Sequence, residues 1–88
     1  MKLLVICRPA PNGDQSLFGQ LIADEFAALR GMKESGTLSH AYSPGKPGAV
    51  LILDVPNPAA ATSLIADLPL AAAGLITTEI IPLHPLDL

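Results

Sequence analysis

The chain has 88 residues, enough for one small domain, and its eight acids against five bases leave a net charge of −3. That balance, with neither a basic stripe nor an aromatic platform, argues against a nucleic-acid binder, and no stretch approaches the roughly 20 apolar residues of a membrane span. Half of the residues are hydrophobic, yet only two Phe and one Tyr are aromatic and Trp is absent, so the core must be aliphatic.

In chain order, Lys2–Arg8 is aliphatic and β-branched, and Pro9-Ala10-Pro11-Asn12-Gly13 stops it, which predicts a first strand and its exit loop. Its apolar run, Leu3–Cys7, is shorter than the roughly 7–15 residues of a secretory leader. Cys7 alternates with Leu3 and Val5 and reads as a small buried hydrophobe. As the only cysteine it allows no intrachain disulfide and suits a reducing, cytoplasmic setting. Asp14 or Ser16 then caps a helix whose inward stripe is Phe18, Leu21, Ile22, Glu25, Phe26, Leu29 and Met32, and Gly36 ends it.

Thr37–Ser43 predicts a second strand, Pro44-Gly45-Lys46-Pro47-Gly48 a hairpin turn, and Ala49–Val55 a central strand buried on both faces. Asn57 caps a second helix with Pro58 at its first position, running from Ala59 to about Leu68 with Ala61, Leu64, Ile65 and Leu68 inward. A tight connector follows, and Ile76–Leu83 is the last strand, where Pro82 suggests an edge or a bulge near its end. The order β-α-β-β-α-β is the α+β, ferredoxin-like split βαβ arrangement: a four-stranded antiparallel sheet, ordered four-one-three-two, with both helices on one face. The other face has no helix to cover it. A small domain buries only about 60–65% of its unfolded surface, so a homodimer or higher homo-oligomer with facing sheets is expected.

Leu68-Pro69-Leu70, followed by a strand that closes on Pro82-Leu83 and His84-Pro85, resembles the C-terminal third of the muconolactone Δ-isomerase family. Glu25, Gly36, Tyr42, Gly45 and the Asp54-Val55 pair also fall where that family's pattern places them. Ala71-Ala72-Ala73-Gly74 stands where the isomerases carry an aromatic, proline-containing segment, and Ser43 where they tend to carry a basic residue. In these respects the chain is similar to the YCII-related branch of the dimeric α/β barrel superfamily. The resemblance implies a cofactor-free isomerase-like protein that moves a proton on an unsaturated lactone or another small carbonyl compound.

On the residues themselves, Glu25 projects along the helix stripe. Buried without a cation it would serve as the catalytic acid or base; at the stripe's edge it would reach solvent beside Arg30 or Lys33; a structural hydrogen bond is the third alternative. His40 and Tyr42, two apart on a strand and so on one face with Leu38, would polarise a carbonyl, or else line a dimer seam. Arg8 would hold a substrate carboxylate in its guanidinium fork, or simply end a strand in solvent. His84, in the tail, could lie over a neighbouring subunit's pocket. Two histidines without spaced carboxylates make a poor metal site, and neither metal nor cofactor is expected. Two rival readings use the same scaffold: a non-catalytic ligand-binding or accessory module, and a cofactor-independent monooxygenase, which would benefit from aromatic walls this composition scarcely supplies.

Overall fold

A computed structural model describes all residues from Met1 to Leu88. Strands β1 (Lys2–Pro9), β2 (Leu38–Tyr42), β3 (Ala49–Asp54) and β4 (Ile76–Leu83) form one sheet in the order β2-β3-β1-β4. Every pairing is antiparallel. The helices are α1 (Phe18–Glu34), entered through a 3₁₀ turn at Gln15–Leu17, α2 (Pro58–Ala66) and the single-turn α3 (Pro69–Ala72). This is the α+β ferredoxin-like arrangement the element order predicts.

Period-two alternation sorts the sheet. Leu3, Val5 and Cys7 of β1 and Leu51 and Leu53 of β3 point to the helix side, where they meet Ala61, Ile65 and Leu68 in the core. Leu4, Ile6, Val50, Ile52 and Ile81 lie half-buried on the opposite, uncovered face. Helix α2 begins as its sequence dictates: the Asn57 side chain accepts from the Ala60 N–H at 2.9 Å, with Pro58 in the first turn.

Strand β2 departs from strict alternation. Leu38 pairs with Leu53, but His40 pairs with Ile52, so Ser39 is an extra residue, a β-bulge whose hydroxyl donates to the Ile52 carbonyl at 3.1 Å. Leu38 therefore turns into the core, while His40 and Tyr42 turn onto the uncovered face. The expectation that all three share a face fails because one inserted residue reverses every side chain beyond it.

The connector is more ordered than its composition suggests. Leu70-Ala71-Ala72-Ala73-Gly74-Leu75 closes a Schellman motif: the Leu75 N–H donates to the Leu70 carbonyl at 2.9 Å and the Gly74 N–H to the Ala71 carbonyl at 3.0 Å. Gly74 sits at φ +74, the left-handed conformation this cap requires, and the two flanking leucines are buried. Helix α1 buries little of its length. Its one fully buried residue is Glu25, while Phe18 and Phe26 remain 44% and 53% exposed. Leu64, expected inward on α2, is also partly in solvent, at 37% exposure.

Candidate functional site

Helix α1 rests on α3 and β2, and the space between it and the sheet is a cavity of about 590 Å³. Its walls are hydrocarbon from Phe18, Ile22, Phe26, Leu29, Leu70 and Leu75, closed on the strand side by Cys7, Ala49, Leu51 and Ile76. Gly48 completes the rim. Its φ of +126 and its approach to the Cys7 carbonyl oxygen leave no room for a Cβ. Volume and lining are those of a small-molecule pocket.

Three polar side chains reach this wall: Cys7, Gln15 and Glu25. The Leu70 N–H donates to Glu25 Oε1 at 3.0 Å, across 45 residues of sequence. Helix α3 explains the bond. Its cap position is Leu68, which has no side-chain acceptor, and Pro69 has no N–H, so Leu70 carries the first orphan donor of the turn and α1 supplies the acceptor. Glu25 is only 6% exposed, its Oε2 makes no hydrogen bond within the protein, and no buried side-chain oxygen is left unpartnered, so Oε2 keeps its accessible surface at the cavity.

Gln15 holds the opposite end. Its amide NH₂ donates to the carbonyls of Ala10 at 3.4 Å and Leu75 at 3.1 Å, tying the β1 exit loop to the start of β4. Burial pushes the Cys7 thiol up from 9.0 to about 11, and the Glu25 charge adds to the effect, so at neutral pH it stays protonated.

The sheet separates Arg8, His40 and Tyr42 from this cavity. His40 and Tyr42 stack on the uncovered face, ring centroids 6.1 Å apart and planes within 2°. Arg8 shares that face and pairs with Glu79 at 3.2 Å, both side chains more than half exposed. His84 lies in the tail beside Met1, Lys2 and Asp54. Only Glu25 of the five sequence candidates lines the cavity. Gln15 is not legible in the sequence, because a lone Gln in a loop carries no signal until its carbonyl partners, one of them 60 residues away, are in place. Nowhere do three His, Cys, Asp or Glu side chains come together as metal ligands would.

Muconolactone isomerase superposes on this chain with a TM-score of 0.79, at 24% identity, over 99% of this chain and 92% of the other. The chain has the muconolactone isomerase fold. A second solved structure, 5-chloro-2-hydroxyhydroquinone dehydrochlorinase from Burkholderia phenoliruptrix AC1100 in complex with 2,5-dihydroxybenzoquinone, aligns with a TM-score of 0.74 at 19% identity, over 96% of this chain and 94% of that one. No protein-family model and no curated protein sequence matches the chain. No helix is long and apolar enough to cross a membrane.

Proposed function

We propose that the cavity between α1 and the sheet binds a small carbonyl compound and that Glu25 moves a proton on it. The observation that carries this reading is the division of labour within one carboxyl group: Oε1 is anchored by the Leu70 N–H and Oε2 is left for a ligand in an otherwise apolar pocket. A base that is held at one oxygen is oriented before substrate arrives, which is what proton abstraction requires. Oε2 takes the proton from the carbon next to the carbonyl, the C–H electron pair moves into a conjugated enolate, and the Glu25 carboxyl, whose proton exchanges with solvent, returns a proton at the far end of the double bond. The protonated Cys7 thiol is the side-chain donor available to the enolate oxygen. Two proteins of this fold, an isomerase and a dehydrochlorinase by name, act on small molecules, which supports the class of reaction.

On this reading Arg8, His40 and Tyr42 belong to a seam between two copies of the chain. The apolar side chains around them on the uncovered face favour a homodimer with facing sheets. His84 would then stand at the edge of that assembly.

The test is exchange of substrate C–H for C–D in D₂O, followed by NMR across a panel of unsaturated lactones, cyclic enones and hydroxyquinones. Wild type should exchange at least one member and Glu25→Gln should lose that exchange by about 10²-fold or more, the contribution of a positioned general base. Undiminished exchange by Glu25→Gln would remove Glu25 from the chemistry. The second reading, a ligand-binding module, is favoured by the same Glu25–Leu70 bond acting as structure alone; binding without exchange across the panel would establish it.

A further inference from the structure

Granted that this cavity is the substrate site, its polar groups go further and select the ligand by charge. We infer that the cavity accepts uncharged molecules bearing a hydroxyl or N–H group and rejects carboxylates, because Glu25 offers it a carboxylate acceptor, Gln15 has no donor left for it and its lining holds no cation. Gln15 shows how the polarity is set. Both of its partners are backbone carbonyls, so the amide nitrogen gives its two hydrogens to them and has none left to donate to a ligand. At Glu25 the Leu70 N–H consumes Oε1, and what remains is Oε2, an acceptor of the carboxylate whose charge also bears on Cys7. The third polar side chain, Cys7, stays a neutral thiol.

The charges on the molecule are arranged to match. The cation expected to hold a substrate carboxylate, Arg8, lies on the far face of the sheet and is neutralised by Glu79. No Lys or Arg is among the fifteen lining residues. A ligand carboxylate in this cavity would shed its water among apolar walls and face a second carboxylate with nothing to offset either cost. A hydroxyl of the same size would instead donate a charge-assisted hydrogen bond to Oε2. Phe18 and Phe26 at the mouth favour a flat ring on the donor's other side.

The experiment compares para-cresol and para-toluate, two probes of one shape, by NMR titration, with the amide signals of Cys7, Leu70 and Leu75 locating the ligand. Wild type should bind the cresol at least about tenfold more tightly, the least that a like charge at short range imposes. In Glu25→Gln the amide oxygen keeps the Leu70 bond while an NH₂ replaces Oε2, so the preference should fall toward one, with the toluate gaining. Equal affinities in wild type, a preference for the toluate, or binding of neither probe at millimolar concentration would overturn the inference without recourse to any variant. A wild-type preference that survives Glu25→Gln would overturn its assignment to Glu25. The result is independent of turnover: if the cresol is preferred and no compound exchanges protons, the proton-transfer reading fails and the charge selection stands.

Discussion

Replacing Glu25 in two ways separates its structural oxygen from its chemical one. Glu25→Ala removes the acceptor for the Leu70 N–H, which lies in a residue only 6% exposed, and leaves a donor with no partner at the start of α3. An orphaned donor of this kind costs about 1–3 kcal/mol, and the bond lost was to a charged group, which puts the expected loss toward the upper end. For a domain of this length each kcal/mol lowers Tm by about 4–8 °C, so a loss of about 2–3 kcal/mol should make Glu25→Ala melt about 8–24 °C below wild type. Glu25→Gln keeps a carbonyl oxygen in the Oε1 position and should lose less than about 1 kcal/mol. Both variants should lose proton exchange. Urea unfolding and thermal melts on the three proteins provide the comparison. Equal stabilities for the Ala and Gln variants would show that the bond to Leu70 contributes nothing to the fold and would refute the capping argument.

Three further outcomes follow from the same structure. The Cys7 thiol titrates at about 11, so its alkylation should rise with pH toward that value; Glu25→Gln should lower the midpoint but leave it above 9.0, since burial is the larger cause. The unfolded thiol ionises near 9.0 and the folded one near 11, so the unfolded state binds fewer protons between them and stability should fall as pH climbs through that window, which Cys7→Ser should flatten. Gly48→Ala should lose about 2 kcal/mol or more in urea unfolding, because the new Cβ meets the Cys7 carbonyl at a φ of +126; stability equal to wild type would mean that the β2–β3 turn yields freely. Ile52→Asp should convert a dimer to monomer by light scattering, whereas Leu53→Ala, one residue along on the core side, should leave assembly intact and cost about 2–5 kcal/mol of stability. Dimers surviving Ile52→Asp would move the subunit interface off the uncovered face.

Local rules carried the sequence reading as far as they reach. Alternation in Leu3, Val5 and Cys7, the Asn57-Pro58 cap and the glycines at chain reversals depend on a residue and its near neighbours, and they determined the element order, the sheet and the central position of β3. They also placed Glu25 on the inward side of α1. Tertiary structure alone decided the rest. Whether Ser39 bulges depends on a carbonyl of β3, and that one residue sends His40 and Tyr42 to the face away from Glu25. Whether Leu68-Pro69-Leu70 is a mere connector or the start of a helix depends on an acceptor reaching its free N–H from 45 residues upstream. The cavity exists because α1 leans on α3 and β2 and stands away from the strands beneath it, a separation that no spacing of residues along the helix encodes. Which polar groups share a site depends on which face of the sheet each one ends on, and a single inserted residue changes that without leaving a mark on composition or on the order of the elements.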